Sequence, residues 1–171
     1  MAYQRSYLMK LVWGAGVATV LGAAIQSSPA QAAESEMSAR YIDQKAKFES
    51  VEVGDQEGHV VGSFYKTGVE TNDNGEIGMR FVGGTFDYVN WAGPASGRVI
   101  VSYQDGSTIT YEWEGAAKFD EKKARFFEGT HRCISGTGRF KGVTCDGTWR
   151  ETGQKNGMTV GSIKARMTLP D

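Results

Sequence analysis

The sequence is poor in the residues that most metal and nucleophile chemistry requires: its 171 residues include only 2 histidines, 2 cysteines and 3 prolines. The two thiols stand twelve residues apart, outside zinc-ligand spacing, so no metal site is expected. The sequence contains no nucleophile elbow, zinc-protease helix or dinucleotide fingerprint. The glycine-rich segment Gly136 to Gly142 fails as a phosphate loop, because no helix follows to present its N-terminus. Charge of one sign is also lacking. With 19 basic against 20 acidic residues and a net charge of -1, no cationic field or local basic stripe exists to hold a polyanion, which excludes nucleic acid as a partner. The 23 glycines follow no X-Y-Gly period, which excludes collagen and leaves tight turns and bulges as their use.

What is present begins with an address. Arg5 and Lys10 precede an uncharged run from Leu11 to Ile25, and Ala30-Gln31-Ala32 places small residues where a signal peptidase reads. A membrane span needs about twenty apolar residues, and this run falls short. Residues 1–32 are therefore expected to be a cleaved signal peptide, with no membrane anchor left after cleavage and a secreted or periplasmic destination. Residues 33–47 are polar, with scattered Met37, Tyr41 and Ile42, and are expected to be a lead-in to a single domain over residues 48–171.

From Phe48 onward the pattern is short β-prone runs separated by glycine or Asn/Asp clusters, with no helix-length apolar period between them. Eight or nine such runs predict an antiparallel all-β domain. Turns are expected at Asp73-Asn74-Gly75, Gly93-Pro94, Asp105-Gly106 and Asn156-Gly157. The Lys118 to Arg125 stretch mixes both signs of charge and reads as a solvated connection.

Two hairpins can be registered by parity. A three-residue loop at Gln104-Asp105-Gly106, with the glycine in a left-handed bulge position, sets Val101 opposite Ile109 and Val99 opposite Tyr111. Val99, Val101, Tyr103, Ile109, Tyr111 and Trp113 then share one face. A two-residue loop would split that apolar set. The second hairpin is centred on Arg139, and mirror pairing about it sets Cys133 directly opposite Cys145, within disulfide reach. An even cysteine pair in an exported chain predicts a disulfide, and this register predicts the same bond. Phe127, His131, Val143, Trp149 and Glu151 fall on the same face as the cysteines.

One-sided strands in this number must bury their apolar faces by pairing two sheets or by closing one sheet on itself. Glycines recurring within the runs, at Gly62, Gly129, Gly142 and Gly147, favour closure, because tightly bent barrels relax their curvature at glycine. The expected fold is one antiparallel β-barrel of about eight strands, whose interior either fills with side chains or holds one small ligand. The run Gly136-Thr137-Gly138-Arg139-Phe140-Lys141-Gly142, continuing through Val143 to Trp149, resembles a late-barrel motif of the allene oxide cyclase and dirigent-like group within the calycin-like architecture. The lipocalin G-x-W signature belongs near a first strand, whereas Gly147-Thr148-Trp149 stands near the end. The resemblance implies a calycin-like barrel and transfers no catalytic residue position by position.

Aromatic residues suit a flat apolar ligand, with phenol and indole groups to orient it. Tyr65, Tyr88, Trp91, Tyr103, Tyr111, Trp113 and Trp149 are the candidate ligand-binding residues. His131, expected on the inward face near Glu151, is a candidate acid/base with that carboxylate if the chain is an enzyme. The expected function is an exported barrel that binds a small, largely apolar molecule without a cofactor. The alternatives are a cofactor-free isomerase or cyclase of the allene oxide cyclase type, and a structural or assembly barrel with a packed interior. A homo-oligomer is compatible with each of them.

Overall fold

A computed structural model describes residues 33–154 and 156–170; the leader expected over residues 1–32 lies outside the described residues. Eight antiparallel strands follow one another around a closed barrel: β1 (Ala33–Glu52), β2 (His59–Asn72), β3 (Ile77–Val89), β4 (Gly93–Tyr103), β5 (Thr108–Phe119), β6 (Arg125–Gly136), β7 (Thr144–Gly153) and β8 (Met158–Leu169). Each strand pairs with the next, and β1 closes the ring on β8. Closure removes the free edges that an open sheet would present.

The lead-in expected over residues 33–47 is instead the first part of β1, paired with β8 along Ala33 to Gln44 and with β2 from Ala39 onward. Its alternation is real but carried partly by polar residues, since Ala39, Tyr41 and Asp43 are buried while Arg40 and Ile42 are exposed. A buried aspartate at an inward position hides the period that apolar residues would reveal. Two β-prone runs of the sequence, Glu76 to Val82 and Phe86 to Asn90, merge across Gly83-Gly84 into the single strand β3, which keeps the count at eight.

Both hairpin registers are present. In β4–β5, Val101 pairs with Ile109 and Val99 with Tyr111, and Gly106 has a φ of 82°. In β6–β7, Arg132 pairs with Asp146, and Cys133 is disulfide-bonded to Cys145 with Cα atoms 4.9 Å apart. The segment around Arg139 departs from a plain turn. Gly138–Phe140 form one 3-10 turn, which places Phe140 in the core, and Gly142, expected within a strand, lies in the turn with a φ of 78°.

That turn closes one end of the barrel. Phe140 packs on Tyr103, with ring centroids 5.1 Å apart, in a buried cluster with Val143, Cys145 and Met167. A layer of buried charge lies between this plug and the rest of the interior. Arg80 Nε donates to Asp43 Oδ1 at 2.9 Å and Arg80 Nη1 to Glu70 Oε2 at 2.7 Å, while Tyr103 donates to Glu70 Oε1 at 3.1 Å. The guanidinium also lies 3.9 Å from the ring centre of Tyr41. At the opposite end the interior opens between the turns that join β1 to β2, β3 to β4, β5 to β6 and β7 to β8.

Candidate binding cavity of the barrel

The open half of the barrel holds a cavity of about 570 Å³. Phe64, Phe86, Tyr88, Trp113, Trp149 and Ile163 supply much of its apolar wall. Glycine makes room for the two indoles. A Cβ added at Gly84 would come within 2.6 Å of Trp113 Cζ2, and one added at Gly115 within 2.7 Å of Trp149 Cζ2. The indoles meet edge to face with centroids 5.5 Å apart, and Phe64 packs beside Trp113 at 5.9 Å. Phe86 stacks on Tyr88 at 4.5 Å and on Phe48 at 5.0 Å, carrying the aromatic wall toward the mouth.

Of the residues expected to bind ligand, Tyr88, Tyr111, Trp113 and Trp149 line this cavity, as do His131 and Glu151. Three others lie elsewhere. Tyr65 is 41% exposed on the outer wall, because Phe64 and Lys66 take the inward positions of β2 and alternate residues point to opposite faces. Trp91 lies in the β3–β4 turn with a φ of 68° and is half exposed. Tyr103 faces inward but belongs to the plug and the Glu70 contact, outside the cavity lining.

The expected pairing of His131 with Glu151 does not form. His131 lies opposite Gly147 in the β6–β7 register, whereas Glu151 lies opposite Phe127, four residues further along β7. At about 3.3 Å per residue, that is roughly 13 Å of strand. Both oxygens of Glu151 are engaged by others: Lys66 Nζ donates to Oε1 at 2.6 Å and the Tyr41 hydroxyl to Oε2 at 3.2 Å. Lys66 also donates to Thr159 Oγ1 at 3.3 Å. His131 instead packs edge-on against Tyr111, with centroids 5.4 Å apart. Burial pushes its pKa down to about 4, and the positive charge of Arg80 acts in the same direction. The imidazole is therefore neutral near pH 7. Burial raises the phenols of Tyr41 and Tyr111 well above the usual tyrosine range, so both keep their protons as donors.

Several polar atoms on this wall lack a protein partner. Tyr111 Oη, Trp113 Nε1 and both ring nitrogens of His131 are buried without a hydrogen bond among the described residues. Groups in that state gain most when a ligand or water supplies the missing contact.

Sequence reasoning missed Tyr41, Asp43, Lys66, Arg80 and Arg125, all of which line the cavity. Arg125 was expected in a solvated connection. It opens β6 and shares the inward parity of Phe127 and His131, which was the available signal. Among the described residues, no cluster of three or more His, Cys, Asp or Glu side chains could hold a metal ion.

The fold and this interior define a closed, eight-stranded antiparallel barrel with an aromatic-walled cavity open at one end. The same barrel occurs in the solved structure of a pterocarpan synthase dirigent protein, which superposes with a TM-score of 0.51 over 93% of this chain and 100% of that one, at 11% sequence identity. At that identity the likeness is one of fold, and it agrees with the dirigent-like resemblance of Gly136 to Trp149. No protein-family model matches the sequence, and no curated protein matches it either.

Proposed function

We propose that this protein is an exported barrel that takes up a small, largely apolar molecule through its open end. The observation that carries the reading is the cavity itself. Its volume of about 570 Å³ falls within the roughly 300–1,000 Å³ of small-molecule sites, and its apolar walls with a few convergent polar groups have the make-up of such sites. Buried donors without partners on Tyr111 and Trp113 would orient a guest that presents an acceptor. Export is supported by the leader pattern before Ala33 and by the disulfide, which suits an oxidising compartment. The cavity weighs against the alternative of a packed interior.

The cyclase or isomerase reading draws support from a different group than first expected. A neutral, weakly basic His131 without a carboxylate partner is a poor acid/base pair with Glu151. The Glu151, Lys66 and Tyr41 cluster on the cavity wall is where proton or charge movement would be steered on a bound substrate.

Native mass spectrometry of the exported protein, followed by titration with N-phenyl-1-naphthylamine, tests the proposal. A co-purifying small molecule, or saturable one-to-one binding of the probe that changes tryptophan emission, is the expected result. Absence of both, with amide exchange showing no change on probe addition, would overturn it.

A further inference from the structure

Arg125 opens β6 at the mouth of the cavity. Its guanidinium lies 4.7 Å from the ring centre of Phe127, 4.9 Å from that of Tyr88 and 5.7 Å from that of Trp91. Aromatic faces hold the guanidinium plane and shield it from water, but they offer no in-plane acceptor to its N–H groups. Nε and Nη2 are both buried and without a hydrogen-bond partner among the described residues. These two atoms form one edge of the guanidinium fork. Their N–H bonds run side by side, which matches the two oxygens of a carboxylate.

Two other cations of the cavity lining differ in this respect. Arg80 is matched by Asp43 and Glu70, and Lys66 by Glu151. The two carboxylates that line the cavity, Asp43 and Glu151, are thus already engaged. Lys45, over the Phe48 ring at 5.1 Å, adds a second positive charge to the cavity lining. Burial lowers the pKa of Arg125, yet a guanidinium starts so high that it keeps its charge. A partly buried cation whose parallel donors have no protein acceptor gains most from an anion that reaches it from solvent.

We propose that Arg125 is the headgroup site of the cavity and that the ligand is an amphipathic carboxylate. Its carboxylate bridges Nε and Nη2, and its apolar body lies against Phe86, Tyr88, Trp113 and Trp149. The proposal rests on the cavity-binding reading and adds the chemical class of the ligand.

Binding of two probes with the same naphthyl body, 2-naphthoate and neutral 2-naphthylmethanol, to the exported protein at pH 7.5 tests it, with tryptophan emission as the readout. The carboxylate is expected to bind about tenfold or more tighter than the alcohol, the scale of a charge-assisted bidentate contact. In Arg125→Gln that ratio should fall to about one. The ratio compares two ligands on one protein, so a general change in stability does not move it. Equal affinities in the natural protein overturn the proposal even if the variant fails to fold, and so does a ratio that survives Arg125→Gln. If the alcohol binds without any preference for the acid, the cavity reading stands and only the headgroup assignment falls. If neither probe binds, both fall.

Discussion

The indole of Trp113 occupies the space that a side chain at Gly84 would need: a Cβ there would come within 2.6 Å of Trp113 Cζ2 and 2.8 Å of Phe64 Cζ. Gly83, one residue earlier on the same strand, would meet nothing within 4 Å. The two glycines are therefore expected to respond oppositely to one added methyl group. Gly84→Ala should cost roughly 1–3 kcal/mol by overpacking and weaken probe binding by pushing the indole into the cavity. Gly83→Ala should be neutral or stabilising by up to about 1 kcal/mol, because it restricts the unfolded chain. Denaturant midpoints of the two variants check this, and equal destabilisation would contradict the inward placement of Trp113.

Trp149 tests wall and stability together. It lines the cavity and its Nε1 donates to the Thr130 carbonyl at 3.2 Å. Trp149→Ala should weaken N-phenyl-1-naphthylamine binding several-fold or more and lower stability by about 3 kcal/mol, the low end for a buried tryptophan because the ring is only half-buried. Parallel titration and urea unfolding separate the two effects.

Removing Arg80 should be among the most damaging single changes. The residue is 3% exposed, and its loss leaves Asp43 and Glu70 facing each other's charge without a cation. Arg80→Met is expected to cost about 3–5 kcal/mol, whereas replacing Arg80, Asp43 and Glu70 together by apolar residues of similar size should cost far less. Unfolding free energies of the single and triple variants provide the comparison.

The Cys133–Cys145 bond joins β6 to β7 at the plugged end, close to Phe140 and Val143. Twelve residues separate the cysteines, so a chain-entropy argument gives about 2–3 kcal/mol of stabilisation. The double alanine variant should lose that amount and keep its probe affinity within a few-fold, because the cavity opens at the other end. Loss of probe binding at full stability would show that the plug controls the cavity.

His131 carries an acid dependence of known sign. Its pKa in the folded protein, about 4, lies below the ordinary value near 6.5, so the unfolded chain takes up the proton first. The stability due to the neutral imidazole is fully present above about pH 6.5 and is lost as pH falls toward 4, up to about 3 kcal/mol. Subtracting the pH profile of His131→Gln from that of the natural protein isolates this loss from the carboxylates that titrate alongside. A flat difference between pH 7 and 4.5 would contradict burial of a neutral ring. The same variant bears on mechanism: it should leave probe affinity within a few-fold if the barrel is a binder, and lower turnover by roughly 10²-fold or more if His131 is an acid/base.

Much of the barrel is determined by local features of the sequence. Side chains alternate with a period of two, so the apolar set Val99, Val101, Ile109, Tyr111 and Trp113 admits one loop length at Asp105-Gly106, and that register is the one present. The same arithmetic about Arg139 sets Cys133 opposite Cys145, and a covalent bond there fixes what glycine-rich strands leave loose. Strand count and antiparallel order follow from turn chemistry, which is equally local. Inward polar residues break this legibility: Asp43 in β1 and Lys66 in β2 interrupt the apolar period, so β1 loses its strand signature and Tyr65 reads as inward in place of Phe64. Which inward groups meet is decided by closure alone. Pairing of β1 with β8 brings Tyr41 to Glu151 across 110 residues of sequence, and the barrel interior brings Lys66 to the same carboxylate across 85. Parity shows that a side chain faces the interior, but its depth and its neighbour across the barrel depend on how all eight strands are staggered, and no single strand encodes that.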